Sequence, residues 1–189
     1  MEKITYGLKS VYYALATIAS NGTATYGTPK AFPGAVSISL APNGDRVDFY
    51  ADDVVYWTGE NRNGYEGDLE MALITDDFRK DILGDTLDND GVLIEAVNTQ
   101  TVHFALLFEF QTDDKARRHV FYNCTATRPE VASETKQDTI SPKTEKVSIR
   151  AMSIYNSAVN KDITKGVAGT NTTTGVYSSW YSSVHQPTA

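Results

Sequence analysis

The chain has 189 residues, of which 41% are hydrophobic and 22% charged, proportions that suit one folded domain with a buried core. A net charge of −7 argues against a surface that grips nucleic acid through Lys and Arg, and the single cysteine, Cys124, excludes an intramolecular disulfide. Because the sequence shows neither a signal peptide pattern nor an apolar run near the roughly 20 residues that span a bilayer, we expect a protein made in a cytoplasm, with no membrane contact.

Turn dipeptides divide the chain into short segments in which polar and apolar residues alternate. Asn-Gly or Asp-Gly pairs, which tolerate the positive φ angles of hairpin turns, occur at 21–22, 43–44, 63–64 and 90–91. The intervening patterns predict strands at 11–18, 35–40, 47–51, 64–73, 92–97, 102–111, 118–127 and 145–152. In the second of these, Val36, Ile38 and Leu40 are expected to face inward. Many short strands with regular turns predict a mainly β fold, a β-sandwich or barrel.

One short flanking helix is predicted at about 76–84. Thr75, Asp76 and Asp77 suit a helix start, and Gly84 suits a helix end. Phe78 and Ile82 lie four positions apart, so their side chains form one apolar face that we expect to pack against the sheet.

The segment between the third and fourth predicted strands carries an unusual apolar run. Val54, Val55, Tyr56 and Trp57 are consecutive in a stretch otherwise rich in Asp, Asn and Gly. We interpret 51–64 as a long loop, and loops of this length are usually functional or disordered. Four large apolar residues in a row argue against disorder, so we expect this loop to become ordered on another surface.

The strand that follows is rich in acidic residues. Glu66, Asp68 and Glu70 alternate along it and therefore share one face, about 7 Å apart. Two such carboxylates could serve as an acid/base pair in glycoside hydrolysis. A solvated acidic face explains the pattern without catalysis and is the favoured interpretation.

No cofactor or metal site is expected. The segment 85–91 resembles a calcium loop, but Thr86 stands at the first ligand position and Val97 where the bidentate Glu belongs. Cys124 and His119 lie five residues apart on a strand, which places them on opposite faces, so Cys124 is interpreted as a buried apolar residue. The histidines are too isolated for zinc.

The C-terminal part differs in composition from the rest. Residues from about 159 to the end are rich in Thr, Ser and Gly, with Asn171-Thr172-Thr173-Thr174-Gly175 at the centre. We therefore divide the chain into a β-domain at 1–158 and a C-terminal strand or arm at 159–189.

Five blocks of sequence, in this order, are similar to those of a known family. They are Tyr50–Asp53, Gly64–Met71, Asp76–Gly84, Phe104–Phe110 and Arg117–Cys124. Together they resemble the major tail proteins, or tail tube proteins, of siphophages with long non-contractile tails. The resemblance covers most of the chain, from about residue 9 to residue 152.

This resemblance implies a tail-tube-type β-sandwich or barrel with one short helix, in a structural virion protein of the tail that is not an enzyme. Such proteins form stacked rings, usually hexameric, through which DNA passes into the host without specific binding. The implied partners are other copies of the chain, the tape measure protein, and the tail terminator and tail-tip proteins of the same phage. Assembly is expected in the bacterial host cytoplasm.

The resemblance also suggests roles for the two unusual segments. The loop at 51–64, anchored by Val54, Val55, Tyr56 and Trp57, is expected to contact a neighbouring subunit or ring. The acidic face is a candidate for the lumen, because negative charge gives DNA phosphates nothing to bind. Two alternatives stay open: a tube subunit of a secretion apparatus related to phage tails, and a small carbohydrate-active β-sandwich enzyme.

Overall fold

The structure, a computed structural model, describes residues 3–135 and 142–188. Strands are its main elements. In chain order they are β1 (Thr5–Ile18), β2 (Ala24–Tyr26), β3 (Lys30–Ala31), β4 (Ala35–Pro42), β5 (Arg46–Ala51), β6 (Val54–Glu60), β7 (Tyr65–Met71), β8 (Thr86–Leu87), β9 (Leu93–Ile94), β10 (His103–Thr112), β11 (Arg117–Ala126), β12 (Glu145–Met152), β13 (Ile154–Asn156), β14 (Lys161–Ile163) and β15 (Lys165–Ala168).

A large antiparallel sheet organises these strands. Its order is β2-β1-β10-β11-β12-β7-β4, with β3 added to β1 and β15 added to β11. The pairs β5-β6, β8-β9 and β13-β14 form small separate sheets. The prediction of a mainly β fold is confirmed, and the arrangement is consistent with a β-sandwich, although the described strands do not close into a barrel.

Two details of the strand predictions are wrong. Only Leu93–Ile94 forms a strand within 92–97, where it pairs with the equally short β8. Val36 does not face inward but is 50% exposed, because the pairing of β4 with β7 shifts between Ala35 and Ser37. Such a bulge inserts a residue and turns the side chains after it to the opposite face.

The predicted flanking helix is confirmed. The Thr75 side chain accepts a hydrogen bond from the Phe78 amide at 3.3 Å and caps α1 (Asp76–Phe78). The chain continues directly into a π-helical turn, Arg79–Leu83, and Gly84 ends it in the left-handed conformation with φ of 81°. A second short helix, α2 (Thr174–Ser178), was not predicted.

Two apolar clusters lie on opposite faces of the central strands. In β10, Phe104 and Leu106 belong to the cluster under α1, whereas Ala105 and Leu107 belong to the cluster under the C-terminal residues. Because both faces of β10 are covered, the strand has no polar side, and its sequence is a continuous apolar run. Phe78 anchors α1 in the first cluster by stacking on Phe32 at 4.4 Å.

The C-terminal residues cover the second cluster. β15 pairs with β11, and after α2 the indole of Trp180 is only 2% exposed. Tyr181 stacks on Tyr12 of β1 with ring centroids 4.6 Å apart. The division of the chain at 158/159 stays a prediction, but the residues after it pack on the same sheet as the residues before it.

The predicted long loop at 51–64 is wrong. Val54–Glu60 is strand β6, and it pairs with β5 through a two-residue turn at Asp52 and Asp53. Both aspartates have positive φ, 51° and 61°, as a tight type I′ hairpin turn requires. Because Asp tolerates this conformation and the following residues are β-branched or aromatic, the segment pairs as a hairpin instead of forming a loop. From here on, residues 45–62 are called the arm, and residues 159–189 are called the C-terminal residues.

Candidate functional site

The arm extends the hairpin formed by β4 and β7 beyond the edge of the large sheet. The β4–β7 pairing ends at Pro42 and Tyr65, and the backbone N–H of Asn43 then donates a hydrogen bond to the Gly64 carbonyl at 2.9 Å. β5 and β6 continue the same two-stranded ribbon as a sheet of their own. At about 3.4 Å per residue, the six residues of β5 span about 20 Å.

One face of the arm is apolar and open to solvent. Phe49 and Trp57 are direct cross-strand partners, and each is 58% exposed. Val47 and Val54 lie on the same face at 56% and 59% exposure. An isolated two-stranded hairpin is at best marginally stable in water, and contiguous exposed apolar surface marks a contact site. The arm therefore carries a surface suited to association.

The other face of the arm is mixed. Asp48 accepts hydrogen bonds from the Thr58 hydroxyl at 2.8 Å and the Arg46 guanidinium at 3.2 Å, and these contacts hold the pKa of Asp48 below its ordinary value. Val55 lies on this face, opposite Tyr50. The pairing shifts between Phe49 and Tyr50, so that Tyr56 is the extra residue and is 74% exposed.

The base of the arm is built around two glycines that sequence reasoning treated only as turn signals. A Cβ on Gly44 would lie 1.7 Å from the Asn61 carbonyl oxygen, so no other residue fits this close backbone approach. Gly64 has φ of 103°, and a Cβ there would lie 2.0 Å from the Ala151 carbonyl oxygen. These contacts fix where the arm leaves the sheet.

The four anchors named from the sequence, Val54, Val55, Tyr56 and Trp57, all lie in the arm, and all are at least 48% exposed. The exposed residues Val47, Phe49 and Tyr50 of β5 were missed as part of the same surface. Their alternation identified β5 as a strand, but only the pairing with β6 shows that they join the anchors.

Glu66, Asp68 and Glu70 lie on β7 and bond to polar side chains of neighbouring elements. The side-chain amide of Asn43 donates a hydrogen bond to Glu66 at 2.9 Å, and the Ser148 hydroxyl donates one to Asp68 at 2.6 Å. Glu70 accepts hydrogen bonds from the hydroxyls of Thr144 and Ser37, which lower its pKa. Each carboxylate is thus held by a neutral donor.

This face of the sheet is not uniformly acidic. Lys146 and Arg150 of β12 stand directly opposite Glu70 and Glu66 in the antiparallel pairing. Three acidic and two basic residues therefore share the face, with a net charge of −1. The remaining strand positions carry small polar residues such as Ser39 and Ser148, so that the surface is polar and nearly balanced in charge.

Other candidate sites from the sequence have structural explanations. In the calcium-like segment, the Asp88 carboxylate accepts hydrogen bonds from the backbone N–H groups of Asp90 and Val92 at 2.9 and 2.7 Å, as in an ordinary polar turn. Within residues 3–135 and 142–188, no three His, Cys, Asp or Glu side chains are grouped so as to hold a metal ion. No helix in these ranges has the length and apolar character needed to cross a membrane.

Cys124 is buried, as expected, but the argument from opposite faces is wrong. A shift in the β10–β11 pairing places both Cys124 and His119 on the face that β10 presents through Phe104 and Phe108. Their partners are four residues apart along β10, about 13 Å, so the two side chains do not form a pair. Burial raises the pKa of the Cys124 thiol, which makes a reactive thiolate unfavourable.

Comparison with known proteins points to one family. A family model described as phage tail tube protein matches residues 1–187 of the chain. A search among curated proteins returned no match. The match spans nearly the whole sequence and includes the arm, the polar face of β7 and the C-terminal residues.

Proposed function

Because the chain belongs to the phage tail tube protein family, we propose that it assembles with copies of itself into stacked hexameric rings that form the tube of a siphophage tail. The tube would conduct DNA into the host. The family is structural and not a class of enzymes, and it implies a component of the virion tail. Assembly would take place in the cytoplasm of the bacterial host.

The observation that carries this proposal is the arm. It exposes two aromatic partners, Phe49 and Trp57, on a ribbon that no described part of the chain covers. Contacts between unlike surfaces of identical subunits close into rings or extend into filaments, so a projecting arm suits such an assembly. Aromatic side chains also dominate the binding energy of protein interfaces.

The nearly balanced polar face with Glu66, Asp68 and Glu70 is our candidate for the lumen. Strongly basic walls would bind DNA, because each phosphate contact releases counterions. Here Lys146 and Arg150 face acids across the strands, so neither sign dominates at close range. The net charge of −7 for the whole chain adds repulsion of the polyanion. The wall therefore favours passage of DNA over binding.

We also propose contacts with the other proteins of the same tail. The tape measure protein would occupy the lumen before DNA, and terminator and tail-tip proteins would cover the two ends of the stack. The terminator and tail-tip proteins require an unpaired ring surface at a tube end, which an assembly of unlike contacts leaves open.

Microscopy of the assembled protein tests the proposal. We expect the purified chain at high concentration to form tubes, and Tyr56→Ala with Trp57→Ala to abolish them because both side chains lie on the arm. Val131→Ala is the matched control, since Val131 is 94% exposed outside any strand. Normal tubes from the double variant would refute the role of the arm, and a cross-section with Asp68 on the outer wall would reject the lumen assignment.

A further inference from the structure

The N-terminal part of the sheet contains a groove that no role described above uses. It lies between β1 and the segment that leads from β3 into β4, and its volume is about 350 Å³. Val11 and Phe32, at 4% and 0% exposure, are among its lining residues, along with Leu8 and Ala35. Lys9 is the only charged residue among those lining it.

The groove is formed where β1 departs from regular geometry. The β1–β10 pairing shifts twice, between Tyr6 and Leu8 and between Lys9 and Tyr12. Ser10 has φ of 53°, which is uncommon for a residue other than glycine. Its hydroxyl donates to Glu109 at 3.1 Å, so the bulged conformation is held by a specific contact. Bulges re-aim side chains and occur often beside functional sites.

Charge is distributed unevenly between this region and the arm. Residues 3–44 contain three lysines and no acidic residue, although the whole chain has a net charge of −7. The arm, residues 45–62, has five acidic residues and two arginines, a net charge of −3. Complementary charge on two surfaces of one chain favours contact between unlike surfaces of different copies.

Several charged groups at the two surfaces are already paired, among them Arg46 with Asp48 and Arg62 with Glu60 in the arm. Lys30 is neutralised by Asp81 at 2.6 Å, but Lys9 has no ion pair in the described residues. At the tip of the arm, Asp52 and Asp53 are exposed and likewise have no ion pair there. An apolar groove with one free cation thus has a counterpart in an apolar arm with free acids.

We propose that the groove beside β1 receives the arm of a second copy of this chain, with Asp52 and Asp53 facing Lys9. The apolar face of the arm, Phe49 and Trp57, then packs on the accessible rim of the groove at Leu8 and Ala31. Val11 and Phe32 form its buried floor. This inference rests on the proposed self-assembly and names the surface that the arm binds.

Neutralising both sides of the contact tests the pairing. Asp52→Asn with Asp53→Asn keeps residues that tolerate positive φ, and Lys9→Gln keeps a long polar side chain. We expect either change to raise the protein concentration needed for assembly by about fivefold to tenfold, measured by sedimentation. Combining them should add little further, because one change already removes the interaction. Lys161→Gln and Asp90→Asn are matched controls at exposed positions.

Cross-linking between two variant copies locates the contact directly. Cys124 is fully buried, so introduced cysteines are the only accessible thiols among the described residues. Mixed tubes of Val54→Cys and Ala31→Cys copies should give a cross-linked dimer with a short bismaleimide. Val54→Cys mixed with Val131→Cys should not, because Val131 lies outside the groove.

The outcomes separate this inference from the proposed function. Tubes that require Trp57 but tolerate Lys9→Gln, with cross-links to position 131 and not to position 31, would overturn the groove assignment alone. Absence of rings and tubes at any concentration would overturn the proposed self-assembly itself. Non-additive effects with cross-links to position 31 support both.

Discussion

His119 makes the stability of this protein sensitive to mild acid. Its imidazole stacks on Phe108 at 5.1 Å and contacts Phe110 edge-on at 5.0 Å, and its buried Nε2 atom has no hydrogen-bond partner among the residues that the structure describes. Burial, with smaller contributions from the positive charges of Arg117 and Lys165, lowers the pKa of His119 from 6.5 to about 4. In the unfolded chain this pKa returns to its ordinary value of about 6.5.

The sign and size of the effect follow from the difference in pKa. Because the folded pKa is lower, the unfolded chain binds a proton that the folded chain does not between pH 6.5 and pH 4. His119 therefore costs no stability above pH 6.5, and its cost grows as the pH falls toward 4. At pH 5 the two values correspond to about 2 kcal/mol, which screening by water reduces to about 1 to 2 because the ring is only partly buried.

Replacing His119 by Phe should remove this sensitivity. The variant keeps an aromatic ring against Phe108 and Phe110 and has no group that titrates in this range. Urea unfolding below the assembly concentration, at pH 7.5 and pH 5.0, should show the wild type losing about 1 to 2 kcal/mol more than His119→Phe between these conditions. The control Val131→Ala, at an exposed position outside any strand, should lose as much as the wild type. Equal losses for wild type and His119→Phe would refute the reasoning.

Two further changes probe the C-terminal residues and the base of the arm. Trp180→Ala should destabilise the fold by about 3 to 5 kcal/mol in urea unfolding, because the ring is 2% exposed in the second cluster. Trp180→Phe should cost much less, since the indole N–H has no hydrogen-bond partner in the described part of the chain. Gly44→Ala should raise amide hydrogen exchange throughout the arm, because its Cβ would overlap the Asn61 carbonyl oxygen. An unchanged exchange pattern, or a loss under 1 kcal/mol for Trp180→Ala, would contradict these contacts.

Local signals in the sequence were sufficient for several elements. The helix at 76–84 was predictable because its cap at Thr75, its apolar pair Phe78 and Ile82, and its end at Gly84 lie within ten residues of one another. Strands β10 and β11 were predictable for a similar reason, since both are long and rich in apolar residues. The exposure of Val54 to Trp57 was predictable because an apolar run in a polar segment is visible without any partner, and their role in contacts stays a prediction.

The sequence by itself determined that the chain is mainly β, that it carries one flanking helix, and that the apolar run around Trp57 is not part of the core. Tertiary structure decided that this region is a paired arm, that Lys146 and Arg150 balance Glu66 and Glu70, and that a bulge at Ser10 opens a groove beside β1. The physical reason is strand pairing. The alternation of polar and apolar residues shows which side chains share a face within one strand. Partners on neighbouring strands are set by the register of the pairing, and each bulge changes that register at a position that no local sequence pattern reveals.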